Sequence, residues 1–138
     1  GGMNVNSVPD FAEFSIDIRS IKTKSHPALL NQISSYLQEQ GVRLEPFVDL
    51  DPVKSEERDP FIQCVYDIAA RHTGARPEPK TLPFFTDASI LAEALDAPVV
   101  IMGPGETALA HQTDEFCFVE KIPEAVTLYS QIIDAWCR

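Results

Sequence analysis

Alternating apolar and polar positions mark the first part of the chain. Residues 12–19 alternate, a pattern typical of a strand with one buried face. Ser25 is of a type that caps helices; apolar residues at helical spacing follow it and stop at Gly41. A second alternating stretch covers residues 42–50 and completes a predicted strand-helix-strand unit. The apolar residues of the first strand are Phe14, Ile16 and Ile18, and those of the helix are Leu29, Leu30, Ile33 and Leu37.

Helical and apolar segments alternate in the second part. Asp59 is placed to cap a helix that Gly74 ends, and residues 86–87 open a shorter helix. Residues 99–102 form an unbroken apolar run closed by glycine and proline, which predicts a strand buried on both faces of a parallel sheet. Residues 115–119 predict another short strand.

The last predicted helix begins at Pro123. Its apolar residues at helical spacing, Ile122, Val126, Tyr129, Ile133 and Trp136, form one stripe. Because helices and strands alternate along this part of the chain, the predicted fold class is layered α/β.

A shift in composition separates the two patterns. Residues 49–59 are rich in charge and proline, so we place a domain boundary there and expect two units, residues 1–50 and 51–138. Two strands and one helix are too few to form a stable sheet alone. The chain is therefore expected to be the end of something larger.

The charge narrows the possible partners. Eleven Lys and Arg against 21 Asp and Glu give a formal net charge of -10, which repels nucleic acid and anionic lipid surfaces. No apolar run has the length of a membrane span, and no signal pattern opens the sequence. The three cysteines lie far apart without a C-x-x-C pair, so we expect a reducing cytoplasm.

His111 is the first candidate for chemistry. It follows the glycine segment in PVVIMGPGETALAHQTDE, at the predicted carboxyl end of a strand, where ligands collect in parallel sheets. Imidazole is both a common metal ligand and a general base. A loop histidine bonded to a nearby carbonyl is the commoner outcome, and a zinc site needs three protein ligands. For His26 and His72, both at predicted helix ends, a structural role is favoured.

Other candidates also have two interpretations. Arg19, at a strand end, is suited to hold a carboxylate in a bidentate fork, although a surface ion pair is commoner. The Asn6 amide is suited to an oxyanion, but turn chemistry explains it equally well. Thr86 with Asp87 is equally explained as a helix cap, and Gly103 and Gly105 leave backbone N–H groups exposed for an anion.

Three segments together resemble a known family. GGMNVNSVPDFAEFSIDIR, TDASIL and PVVIMGPGETALAHQTDEF are similar, in this order and spacing, to the C-terminal portion of the metal-dependent acyl-amino-acid deacylases and aminopeptidases. That family includes acetylornithine deacetylase, succinyl-diaminopimelate desuccinylase and carboxypeptidase G. The GPG…AHQ.DE form, in which His111 stands eight residues after Gly103, is most similar to the acetylornithine deacetylase branch.

The resemblance implies a fold and a set of roles. It implies that residues 1–50 are half of an α+β lid that mediates homodimerisation, and that the remainder ends a catalytic α/β domain holding two zinc or cobalt ions. His111 matches the family's last metal-ligating histidine, Arg19 the arginine that grips the substrate carboxylate, and Asn6 a lid asparagine. Thr86, Gly103 and Gly105 match segments that line the substrate.

The family's remaining ligands and its general base lie upstream of the matched portion, so a missing N-terminal half is expected as a partner. The resemblance implies amide hydrolysis of a small N-acyl amino acid by the intact enzyme and negligible hydrolysis by this chain alone. The alternative is a non-catalytic binding or dimerisation module that lacks the metal site.

Overall fold

Helices are the regular elements of the structure, a computed structural model that describes residues 4–6, 8–21, 24–38 and 40–138. Within these residues there are four α-helices, one short 3-10 helix and no strand. The helices are α1 (His26–Gln38), α2 (Pro60–Thr73), α3 (Ala88–Leu95) and α4 (Lys121–Trp136), and the 3-10 helix is Thr107–Leu109. None of the helices in this part of the chain is long and apolar enough to cross a membrane.

Local capping chemistry sets the ends of α2. The Phe61 N–H donates to the Asp59 carboxylate at 2.8 Å, and Pro60 occupies the first turn, where a missing N–H costs nothing. Gly74 adopts a left-handed conformation with φ 79° and donates its N–H to the Ala70 carbonyl. The predicted cap and stop of this helix are both confirmed.

The other helix starts follow the same chemistry. Ser25 accepts a hydrogen bond from the Ala28 N–H at 3.3 Å and so caps α1, as predicted. Thr86 accepts from the Ala88 N–H at 3.2 Å at the start of α3, whereas the Asp87 side chain makes no capping bond. α4 begins at Lys121, two residues before the predicted start at Pro123.

The core lies between α2 and α4. Val65 and Ile68 of α2 pack against Ile132 of α4, and Ile68 is only 1% exposed. Phe61 and Trp136 meet edge to face with ring centroids 5.3 Å apart. Partly buried side chains that pack against this cluster include Val100, Met102 and Leu128.

The predicted apolar stripe of α4 lies outside the buried core. Its five residues are all exposed, and Ile133 is 57% exposed, whereas the neighbouring Ile132 is 8% exposed. The helical spacing of the stripe is real, but Leu128 and Ile132 form a second apolar line, and that line meets α2. The five residues, Ile122, Val126, Tyr129, Ile133 and Trp136, are called the α4 outer stripe below.

The predicted α/β fold class is contradicted, because none of the predicted strands forms among the described residues. Residues 12–19 carry the alternating pattern, yet Phe14, Ile16 and Ile18 are exposed along with the polar positions between them. A strand exists only through hydrogen bonds to a neighbouring strand. No such neighbour lies beside residues 12–19, 42–50 or 115–119 in the described chain.

Side chains satisfy backbone groups of residues 99–102, which were predicted as a buried strand. The Val99 N–H donates to the Ser55 hydroxyl at 2.7 Å, and the same hydroxyl donates to the Val99 carbonyl at 2.7 Å. The Tyr129 hydroxyl donates to the Met102 carbonyl at 2.8 Å. A hydroxyl can donate and accept at once, so this apolar segment is anchored without a sheet.

Much apolar surface stays exposed. The accessible surface is 11608 Å², whereas a compact monomer of 138 residues exposes about 7,100 Å². The large exposed apolar side chains outside α4 include Phe11, Phe14, Phe47, Phe85, Ile90, Leu91, Leu95, Ile101, Phe116 and Phe118. The core of this chain is therefore small for its length.

The neighbouring isoleucines of α4 provide a matched test of this packing. Ile132→Ala removes buried apolar contact and should lower the free energy of unfolding by about 2–4 kcal/mol. Ile133→Ala should change it by less than about 1 kcal/mol, since the exposed side chain loses little contact and alanine favours the helix. Urea denaturation followed by circular dichroism measures both. The opposite order would mean that α4 packs on its outer stripe.

Candidate functional site

The loop that carries His111 is built around unusual backbone. His111 and Asp114 both adopt the left-handed conformation, each with φ 61°, which side chains other than glycine rarely adopt. The His111 N–H donates to the Glu115 carboxylate at 3.0 Å. The His111 side chain is exposed. Such strained backbone concentrates at functional sites, so it supports a role for this loop without defining one.

The glycines before this loop have space around them. A Cβ on Gly103 would meet the Tyr129 hydroxyl at 3.9 Å, an ordinary contact, and a Cβ on Gly105 would meet nothing within 4 Å. Gly103 and Gly105 are not among the residues that have a positive φ. The local backbone of this structure therefore does not itself require glycine at either position.

Glu106, directly after Gly105, contributes to the charge near the start of α4. A hydrogen bond from Lys121 to Glu124 raises the pKa of the Lys121 amine, and the negative charges of Glu124, Glu120 and Glu106 act in the same direction. The amine thus stays protonated throughout the neutral range. Glu106 is thus near enough to the Lys121 amine to favour its charged form.

Three of the five predicted substrate residues, Arg19, Asn6 and Thr86, make no bond to His111 in the described chain. Arg19 donates from Nε at 2.9 Å and from a terminal nitrogen at 2.5 Å to one carboxylate oxygen of Asp17, and the pair is exposed. Asn6 is exposed in a turn. Thr86 serves as the cap of α3. No hydrogen bond or ion pair between described residues joins any of the three to His111.

A metal ion needs more donors than this loop supplies. No group of three or more His, Cys, Asp or Glu side chains with the geometry of a metal site occurs among the described residues. The chemistry of His111 suits a single metal ligand, because its imidazole is exposed and its backbone N–H is bonded to Glu115. His111 therefore fits one ligand position of a metal site, and the described residues do not supply the other ligands.

A second cluster was missed from the sequence. His26, the first residue of α1, lies between Ser20 and Asp49. Its Nε2 is 2.6 Å from the Ser20 hydroxyl, and its Nδ1 is 2.5 Å from a carboxylate oxygen of Asp49. The prediction from sequence that His26 lies at the start of a helix is confirmed. Asp49 stands 23 residues away, and nothing in the local pattern signals that it returns to His26.

The bond between Glu115 and the His111 backbone can be tested directly. Glu115→Ala should speed hydrogen exchange of the His111 amide severalfold, because a charge-assisted hydrogen bond is worth about 1.5 kcal/mol or more. Glu106→Ala is the matched control and should leave that amide unchanged. Amide exchange followed by NMR measures both. Equal rates in the two variants would show that Glu115 does not hold the loop.

Comparison with known proteins identifies the family of the chain. The family model described as Peptidase family M20/M25/M40 matches residues 3–135. An acetylornithine deacetylase of Vibrio atlanticus is 27% identical over 140 residues, which is 99% of this chain and 36% of that protein. A probable succinyl-diaminopimelate desuccinylase of Staphylococcus epidermidis is 27% identical over 141 residues, which is 99% of this chain and 35% of that protein.

The chain thus spans about a third of the length of the curated relatives it matches. No solved structure matches it at a comparable level. Enzymes of the matched family are metal-dependent. Because the family model covers nearly every residue, the resemblance seen in the sequence motifs is confirmed, and this chain belongs to the peptidase family M20/M25/M40.

Proposed function

We propose that this chain is the C-terminal part of a metal-dependent amidohydrolase that removes the acyl group from an N-acyl amino acid. The observation that carries the proposal is the family match over residues 3–135, with relatives named as a deacetylase and a desuccinylase. In this proposal residues 1–50 belong to a lid that forms a homodimer, and residues 51–138 belong to the catalytic domain.

His111 has the role of one metal ligand in this proposal. Its exposed imidazole and its backbone bond to Glu115 support the role. The other ligands of two zinc or cobalt ions would come from a part of the protein outside this chain, since the described residues hold no cluster of three donors. The ions would supply the Lewis acid that amide hydrolysis requires.

Arg19 has the role of binding the carboxylate of the substrate. Its exposed guanidinium donates from two nitrogens to one carboxylate oxygen of Asp17, which supports this role. An exposed ion pair of this kind contributes at most about 1 kcal/mol, so a substrate carboxylate can displace Asp17 without a large cost. Asn6, Thr86, Gly103 and Gly105 would line the substrate, as the resemblance implies.

The uncovered apolar surface supports the idea that the chain works within a larger protein. The α4 outer stripe and the exposed leucines and isoleucine of α3 are the types of side chain that normally lie in a core. Large contiguous apolar patches on a protein surface mark sites where other protein packs. In this proposal the rest of the catalytic domain, in the missing N-terminal half, covers them.

The alternative function is a non-catalytic binding or dimerisation module. The observation that favours it is the lack of a group of three metal-binding side chains among the described residues. The two functions differ in what the chain requires. A module would act with this chain alone, whereas the enzyme needs ligands and a general base from elsewhere.

Zinc titration by calorimetry separates these possibilities for the isolated chain. We expect weak binding that is unchanged in His111→Ala, because a single imidazole holds zinc poorly without two further protein ligands. His72→Ala, at the end of α2, is the matched control. Tight binding that disappears only in His111→Ala would mean that the chain builds a complete site, and the proposed division of ligands would be wrong.

The role of Arg19 is best tested in the intact protein that carries this sequence. Arg19→Ala should raise KM for an N-acetyl amino acid by about 10- to 100-fold, since a charge-assisted forked contact is worth about 1.5–3 kcal/mol. Arg43→Ala is a matched control, because Arg43 also pairs with an exposed carboxylate two residues away, that of Glu45. Equal effects in both variants would remove Arg19 from the substrate site.

A further inference from the structure

Ser20, His26 and Asp49 form a hydrogen-bonded line with the order of a nucleophile, a base and an orienting acid. The Ser20 hydroxyl lies 2.6 Å from Nε2 of His26, and Nδ1 of the same ring lies 2.5 Å from Asp49. A second carboxylate, that of Asp51, lies 3.7 Å from Nδ1. The His26 side chain is only 15% exposed, so the ring is held between its partners.

Each partner of the ring fits one task. A carboxylate at Nδ1 fixes the tautomer that leaves the Nε2 lone pair directed at the serine hydroxyl. A serine within hydrogen-bond reach of such a base is the general signature of an activated nucleophile. Ser20 is not needed as a helix cap, because the neighbouring Ser25 already caps α1.

From this geometry we propose that Ser20 is an acyl-accepting nucleophile that reacts with small esters, independently of any metal. The Ser20 oxygen attacks the ester carbonyl carbon while Nε2 of His26 takes its proton. The bond to the alcohol oxygen then breaks, and His26 returns that proton to the departing alkoxide. The products are an alcohol and an ester of Ser20, which water can hydrolyse by the same proton path in reverse. Asp49 acts as a positioning residue.

A groove whose wall includes His26, but not Ser20, indicates the charge that an ester meets beside this pair. His26 forms part of its wall, together with the start of α1, residues 51–56 and part of α3. Five carboxylates and two lysines line it, so its field is negative and opposes anionic substrates. The lining charges are Asp51, Glu56, Asp59, Glu93 and Asp96 against Lys24 and Lys54. Neutral or cationic short-chain esters are therefore the expected class.

The test is covalent labelling of the chain by a neutral fluorophosphonate with EDTA present, followed by peptide mapping. Ser15 and Ser35 are controls within the same molecule, because neither is hydrogen-bonded to a histidine in the structure. General-base assistance is worth about 10²- to 10⁴-fold, so Ser20 should react at least about 100-fold faster than Ser35. Reaction of Ser20 at the rate of Ser35 would overturn the proposal.

Variants then separate a proton relay from a merely structural contact. His26→Gln should reduce labelling of Ser20 to the rate of Ser35, and Asp49→Asn should reduce it at least about tenfold. Asp49→Glu keeps the carboxylate and should restore most of the rate, a rescue that loss of structure would not give. Unchanged labelling in His26→Gln, or equal rates in the Asn and Glu variants, would count against the relay.

Ester turnover gives the second measurement. Neutral 4-nitrophenyl acetate should acylate Ser20 at least several times faster than the anionic mono-4-nitrophenyl succinate, and a reversed preference would contradict the role of the groove. This proposal goes beyond the metal-dependent function and does not rest on it. Because EDTA removes metal chemistry from the assay, failure here leaves the amidohydrolase proposal unaffected, and success here does not support it.

Discussion

The contact of Ile68 and Val65 with Ile132 is the interaction on which the rest of the structure depends. It joins α2 to α4, and the side chains of Val100 and Met102 pack against the same cluster. Tyr129, on α4, then holds the Met102 carbonyl directly before the glycine segment. The His111 loop therefore starts from a point that the core fixes. Met102 and Tyr129 thus link this contact to the start of the loop.

Two apolar lines on one helix explain why the structure looks incomplete. One line of α4 packs on α2, whereas the residues of the outer stripe are exposed, although Trp136 at its end also touches Phe61 of α2. A helix that is apolar on more than one side belongs in the interior of a larger core. The family relationship agrees with this, since the relatives are about three times as long as the chain. The exposed surface and the length of the relatives are independent observations that point to the same conclusion.

Local features were predictable from sequence, and long-range ones were not. Asp59 and Gly74 set the ends of α2 through bonds to residues within four positions, so their types alone identified the helix. Strands depend on a partner elsewhere, so the alternation of residues 12–19 could not reveal whether one is present. The apolar stripe on α4 was recognised, but which apolar line of α4 faces the core depends on how α2 packs against it. Likewise His111 was singled out by local pattern, whereas the approach of Asp49 to His26 has no local signal.

The edge-to-face contact of Phe61 and Trp136 has a practical consequence. Trp136 is the sole tryptophan of the chain, and it ends α4 where that helix meets the start of α2. Its indole emission thus comes from one defined place, the junction of the two helices that form the core. The fluorescence of Trp136 therefore reports on the assembly of the core without an added dye. Any event that separates these helices changes the environment of a single fluorophore.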